Sequence, residues 1–94
     1  MIVSPAAEND LRQSRDWYEL RRFGLGAEFM LCIEDVFERI SRNPELHAIV
    51  HRDVRRALAR RFPYAIYYRH VGGEIIVLAV IHSRRDPQQW QVRT

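Results

Sequence analysis

The sequence contains no lysine, one cysteine, and only four glycines and four prolines among its 94 residues. The single cysteine, Cys32, cannot form a disulfide within the chain, so the core must be stable without cross-links. The longest apolar run, Ile75 to Ile81, is too short to span a bilayer as a helix. The first residues also lack the basic and then apolar pattern of a signal peptide. These absences predict one cytoplasmic domain over residues 1–94, without membrane contact.

Because lysine is absent, arginine carries the positive charge of the chain, and it is unevenly distributed. Residues 1–46 hold six arginines and nine acidic residues, a formal charge of −3, whereas residues 47–94 hold nine arginines and three acidic residues, a charge of +6. The planar guanidinium group is suited to binding carboxylates and phosphates. The C-terminal half is therefore expected to face an acidic partner, which can be nucleic acid, a nucleic-acid enzyme or an acidic protein.

The first half of the sequence has the periodicity of a helical hairpin. Ser4 and Pro5 suit the N-cap and first position of a helix. A second helix is predicted by one apolar stripe, and Pro44 ends it. The stripe consists of Phe29, Ile33, Val36 and Ile40.

After Pro44 the pattern becomes extended. Strands are predicted at 54–61, 64–71 and 74–82, with 1–3 as a possible edge strand. Gly72 and Gly73 suit a two-residue turn, because glycine readily adopts positive φ. The predicted fold is α+β, with a helical hairpin from Pro5 to Asn43 packed on a three- to four-stranded antiparallel sheet.

Pairing Val71 with Glu74 across that turn assigns alternate residues to the two faces of the sheet. The face expected under the helices carries Tyr64, Ile66, Tyr68, His70, Ile75, Val77, Ala79 and Ile81. The opposite face carries Ala65, Tyr67, Arg69, Ile76, Leu78, Val80 and His82, continues to Arg84, and is the candidate working surface. A slip of one residue in register would exchange the two faces.

Metal and nucleophile chemistry find little support in the sequence. His47 and His51 are four residues apart, a spacing that pairs two ligands only on a helix, and this segment is not predicted to be helical. Cys32 lies among the apolar positions of the second helix, where an inert, buried thiol is expected. No glycine-rich phosphate loop is present. We expect neither a metal nor another cofactor.

Four blocks of sequence together resemble the ParE branch of the RelE/ParE family of toxins from bacterial type II toxin-antitoxin pairs. The blocks are Ser4-Pro5, Arg42-Asn43-Pro44-Glu45-Leu46, Phe62-Pro63-Tyr64 and His82-Ser83-Arg84-Arg85-Asp86-Pro87, followed by Trp90. The resemblance implies a toxin that arrests growth by binding DNA gyrase and making its transient DNA breaks persist. Such a toxin needs no catalytic residues of its own. It also implies a cognate antitoxin, whose C-terminal segment folds on binding.

For such a binding function, the candidate target-binding residues are arginines beside the strands, together with one histidine and one tryptophan. Arginine and tryptophan are enriched at the energetic centres of protein interfaces. Each can equally be a solvated charge or, for Trp90, a residue that packs the tail down. The set is Arg55, Arg56, Arg60, Arg61, Arg69, His82, Arg84, Arg85 and Trp90.

Two alternative functions remain. The RelE branch contains metal-independent endoribonucleases that cut mRNA on the ribosome, and in that case His82 and Arg84 would be catalytic. However, Ala65 and Trp90 stand where that branch carries an arginine and a tyrosine, so the catalytic set is incomplete. The other alternative is a non-toxic basic domain that binds nucleic acid, with strand tyrosines such as Tyr67 stacking on bases.

Overall fold

A helical hairpin packs on a five-stranded sheet in the computed structural model, which describes residues 1–94. The elements are β1 (Ile2–Val3), α1 (Pro5–Arg21), α2 (Leu25–Arg42), β2 (Ile49–His51), β3 (Val54–Leu58), β4 (Tyr64–Val71), β5 (Glu74–His82) and α3 (Gln88–Gln91). The strand order is β1-β5-β4-β3-β2. β1 runs parallel to β5, and all other neighbours are antiparallel.

The predicted α+β fold and its helical hairpin are confirmed, with a difference in the sheet. It has five strands rather than three or four, and it is mixed rather than antiparallel. Periodicity did not identify β2, because three residues are too few to show alternation. β3 ends at Leu58, three residues earlier than predicted.

Local capping and packing explain the hairpin. The Ser4 hydroxyl accepts a hydrogen bond from the Ala7 N–H at 3.1 Å, and Pro5 follows as the first helical residue. The four residues of the predicted stripe on α2 are fully buried. Gly26 lies at a close approach of the two helices, since a Cβ there would be 2.8 Å from the Arg15 carbonyl oxygen. None of the helices combines the length and hydrophobicity that a membrane span requires.

The hairpin turn between β4 and β5 forms as predicted. Gly72 and Gly73 have φ values of 58° and 79°, and Val71 is paired with Glu74. Along β5, residues alternate between the two faces as predicted only as far as Val77. Tyr68 is paired with Val77 but Tyr67 with Ala79, so Leu78 is an extra residue on β5.

This β-bulge corrects the predicted faces, because one inserted residue reverses the alternation of everything after it. Val80 lies under the helices rather than opposite them. Ala79 and Ile81 lie on the opposite face rather than under the helices. His82 is paired with Tyr64, which faces the helices, so His82 also lies on the helix side and away from Arg69.

The sheet is covered on both faces. The larger apolar cluster lies between the sheet and the helical hairpin. A smaller cluster on the opposite face is closed by Trp90 of α3, whose ring stacks on Tyr67 with 4.2 Å between centroids. Trp90 is only 4 % exposed. The face predicted to be the working surface is therefore largely a second core.

Candidate functional site

Two of the arginine pairs meet at one end of the sheet, which we call the arginine end. It consists of the loop 59–63, with Arg60 and Arg61, and the turn 83–87, with Arg84 and Arg85. The Ser83 N–H donates to the Pro63 carbonyl at 2.8 Å, which holds the two segments together. Pairs far apart in sequence are thus brought together, because β4 begins where β5 ends.

Beside the arginine end, an open cleft of about 620 Å³ separates α1 from the end of β5. We call this the α1–β5 cleft. From α1 it is lined by Asp10, Gln13, Ser14, Trp17 and Tyr18, and from the sheet by Tyr64, Val80, Ile81, His82, Arg84 and Arg85. The cleft therefore collects His82, Arg84 and Arg85 from the predicted site residues.

Four rings form a continuous aromatic wall along this cleft. Centroid distances are 5.0 Å from Trp17 to Tyr18, 6.1 Å from Tyr18 to Tyr64, and 5.8 Å from Tyr64 to His82. Burial, together with the neighbouring Tyr64 phenol, raises the pKa of Tyr18 to about 12. The Tyr18 hydroxyl is protonated at neutral pH and can donate a hydrogen bond to a ligand.

The bulge places His82 at the end of the wall and connects it to the arginines. Its Nδ1 accepts a hydrogen bond from the Arg84 backbone N–H at 3.1 Å. In this arrangement the proton of the neutral imidazole is on Nε2. The Arg84 guanidinium has no hydrogen-bond or ion-pair partner, and the Arg85 guanidinium bonds only to the neutral Gln89 side chain, at 3.2 Å. Both charges are therefore available to a ligand.

The only carboxylate lining the cleft is neutralised by an interaction that sequence reasoning missed. Arg93, in the C-terminal tail, holds Asp10 with two hydrogen bonds of 2.6 and 3.1 Å, and also donates to the Leu78 carbonyl at 3.1 Å. The Asp10 carboxylate further accepts from the Val80 N–H at 3.0 Å. The hydrogen bond to Asp10 raises the pKa of Arg93, although burial partly opposes this. No sequence signal links two residues that lie 83 positions apart.

The remaining predicted arginines are engaged elsewhere. Arg55 donates hydrogen bonds to the backbone carbonyls of Glu45 and His47, at 2.9 and 2.8 Å. These two bonds stabilise the loop before β2. Arg69 is paired with Asp53 at 2.9 Å. Arg69 is also remote from the arginine end. It lies five residues along β4 from Tyr64, or roughly 16 Å at a strand rise of about 3.3 Å per residue.

Arg56 and the arginine-end loop complete the set. The Arg56 guanidinium lies 6.0 Å from the Tyr67 ring, on the face closed by Trp90. Arg61 is paired with Glu28 at 2.9 Å, whereas Arg60 is exposed and has no side-chain partner. Arg60, Arg84 and Arg85 are therefore the exposed arginines of the predicted set that have no carboxylate partner. Arg56 also has no hydrogen-bond or ion-pair partner, but it is only partly exposed and its Nε is buried.

The histidines that were considered for a metal site have other neighbours. His47 packs edge-on against Tyr68, and His51 packs against Trp90. Burial, with two nearby guanidinium groups, lowers the pKa of His47. No three His, Cys, Asp or Glu side chains come together closely enough to hold a metal ion.

Residues 1–87 match the model of a family described as the ParE toxin of the type II toxin-antitoxin system, parDE. No individually curated protein matches the chain. The matched segment includes both helices, all five strands and the turn with Arg84 and Arg85, and it ends just before α3. The chain therefore belongs to the ParE family of toxins from type II toxin-antitoxin systems.

Proposed function

We propose that this toxin acts by binding DNA gyrase through the arginine end and stabilising its broken-DNA state, without hydrolytic chemistry of its own. Its cognate antitoxin neutralises it by covering the toxin. Membership of the toxin family supports the class of function. Gyrase is proposed as the target because of the resemblance to the ParE branch. Binding, rather than RNA cleavage, is proposed because the sheet face opposite the helices is closed by apolar residues.

The observation that carries the proposal is the closure of that face. The ribonuclease branch would need a cation at Ala65 and a proton donor at Trp90. Ala65 is fully buried, and Trp90 is stacked on Tyr67 in the same apolar cluster. General acid-base catalysis needs groups that can reach the substrate and transfer a proton. Two apolar, buried residues at these positions favour a toxin that works by binding.

The charge distribution supports the arginine end as the target-binding surface. Arg60, Arg84 and Arg85 have no carboxylate partner and can pair with acidic groups of a target. Trp17, which lines the α1–β5 cleft with Arg84 and Arg85, is 49 % exposed. Phe23, in the turn between α1 and α2, is 94 % exposed, and Glu28 just after this turn pairs with Arg61 of the arginine end. Interfaces owe most of their binding energy to a few arginine and aromatic residues of this kind.

The open edge of the sheet supports a site for the antitoxin. β2 is the last strand of the sheet, and Ile49 and Val50 are exposed there, with Leu46 just before them. An extended segment can add to such an edge through backbone hydrogen bonds, while apolar side chains cover the exposed residues. The other edge is less accessible, since β1, Asp10 and Arg93 occupy the backbone groups of β5.

The test is a gyrase supercoiling assay with purified toxin, followed by denaturation of the enzyme to reveal trapped DNA breaks. The variant Arg84→Ala with Arg85→Ala should lose at least about tenfold in potency, because two hot-spot residues are removed. The matched control is Arg12→Ala with Arg42→Ala, which removes the same charge from exposed helix positions outside the arginine end. This control should retain wild-type potency.

Two outcomes would contradict the proposal. Equal loss in both double variants would mean that net charge alone drives binding. A toxin that leaves gyrase active but cuts mRNA in a translating extract would be a ribonuclease, and His82 with Arg84 would then become the catalytic candidates. Co-expression with the cognate antitoxin should restore growth.

A further inference from the structure

We propose that the α1–β5 cleft is a nucleotide-binding site, in which the base stacks on the aromatic wall and the phosphate is held by Arg84 and Arg85. The inference goes beyond gyrase binding, and it can be tested with no gyrase present. Its ligand is a nucleotide, either free or as an unpaired unit of a single strand.

The shape of the cleft is the first argument. Its volume of about 620 Å³ falls within the range of small-molecule sites, roughly 300–1,000 Å³. One side is formed by the aromatic wall, and the far end is formed by the two arginines. Such a site favours a ligand that is flat at one end and anionic at the other. Inorganic phosphate would leave the rings unused, and an apolar ligand would leave two cations without a partner.

The charge inside the cleft is the second argument. Asp10 would repel a phosphate if its carboxylate were free, but Arg93 binds it through both oxygens. Arg84 and Arg85 meet no carboxylate. The cleft is therefore cationic, and a guanidinium group pairs well with phosphate oxygens.

The stacking surface is the third argument. The Trp17 side chain is half exposed, and the Arg21 guanidinium covers one face of its ring at 3.5 Å from the centroid, so a base would stack on the opposite face. A base that stacks on this wall gains roughly 1–3 kcal/mol, with little dependence on its identity. Ser14 and Gln13 add a hydroxyl and an amide that can bind the sugar or the base edge.

The experiment is an NMR titration of the full-length ¹⁵N-labelled toxin, read at the two indole N–H signals. Trp17 lies in the cleft, whereas Trp90 is buried on the opposite face of the sheet. The probes are ADP, an eight-residue oligo-dT, adenosine, inorganic pyrophosphate, and a synthetic peptide of alternating glutamate and tryptophan. ADP or oligo-dT should shift the Trp17 signal and leave Trp90 in place. Adenosine and pyrophosphate should each bind at least about tenfold more weakly than the better of these two probes.

Variants define the site. Arg84→Ala should weaken nucleotide binding about tenfold or more, because a charge-assisted contact is lost. Trp17→Ala should weaken it at least about fivefold, and Trp17→Phe should restore most of the loss. Because these two variants lack the Trp17 indole signal, their binding is read at the backbone N–H signals of Arg84 and Arg85 in the same cleft. Arg12→Ala is the matched control, because this exposed arginine faces the other flank of α1, and it should bind as wild type.

The relative affinities distinguish a free nucleotide from a single strand, and three results would contradict a nucleotide site. Tighter binding of ADP than of oligo-dT identifies a free nucleotide, and the reverse identifies a single strand; both support the site. Equal affinity for pyrophosphate and ADP would overturn it in favour of a simple anion site. Tighter binding of the acidic peptide at the same residues would assign the cleft to a protein partner instead. Equal losses in Arg12→Ala and Arg84→Ala would show non-specific attraction.

Discussion

The interaction of Arg93 with Asp10 should be a major contributor to the stability of the fold, and Arg93→Ala is the change that tests this. Asp10 is only 11 % exposed, and Arg93 supplies two of the three hydrogen bonds that its carboxylate accepts. The variant would leave this carboxylate with the Val80 N–H as its only donor. It would also remove a hydrogen bond to the Leu78 carbonyl in the β-bulge.

The expected cost lies between those of exposed and buried ion pairs. Exposed pairs contribute roughly 0–1 kcal/mol, whereas removing one partner of a buried pair costs about 3–5 kcal/mol. The Arg93 side chain is 26 % exposed, so we expect a loss of about 2–4 kcal/mol in the free energy of unfolding. For a domain of this size, each kcal/mol corresponds to about 4–8 °C, so the melting temperature should fall by roughly 8–32 °C.

Urea denaturation followed by circular dichroism at pH 7 measures this loss. Arg93→Lys should give an intermediate value, because the ammonium group keeps the charge but lacks the planar fork. Arg84→Ala is the control and should change stability by less than about 0.5 kcal/mol, since Arg84 is exposed and unpaired. A double-mutant cycle with Asp10→Asn should give a coupling of at least about 1.5 kcal/mol. A loss below about 0.5 kcal/mol for Arg93→Ala, or a coupling near zero, would refute the reasoning.

Substitutions at three further positions test other parts of the fold. Gly26→Ala should lower the melting temperature although alanine favours helices, because its Cβ would clash with the Arg15 carbonyl oxygen at 2.8 Å; a rise in melting temperature would contradict the close approach. His47→Gln should flatten the pH dependence of stability. A lowered folded pKa means that wild-type stability is full above about pH 6.5 and is lost as pH falls through the folded pKa, so denaturation at pH 7.5 and 5.5 measures the difference. Trp90→Ala should cost about 3–5 kcal/mol, whereas Trp90→Phe should keep wild-type toxicity in a growth assay; lost toxicity in a stable Trp90→Phe protein would make Trp90 a target contact.

Those features of the fold that depend on neighbouring residues could be predicted from the sequence. Ser4 and Pro5 begin α1, the apolar stripe of α2 is buried as spacing requires, and Gly72-Gly73 sets the pairing of β4 with β5. Each of these follows from rules that act within a few residues: capping, helical periodicity and positive φ at glycine. The family resemblance also lay in short blocks, and the family match over residues 1–87 confirms it.

The tertiary structure decided which of the predicted site residues act together. The extra residue Leu78 places His82 on the helix side, and alternation alone contains no signal for a bulge, since all residues from Ile75 to Ile81 are apolar. The burial of Trp90 and the contact between Arg93 and Asp10 depend on how the tail returns to the sheet. These are long-range contacts, and their energies depend on burial that no local pattern records. Local sequence patterns were therefore enough for the helical hairpin, the β4–β5 hairpin and the basic character of the C-terminal half, but not for the short strand β2. Packing determined which arginines remain free and where they lie beside the aromatic wall.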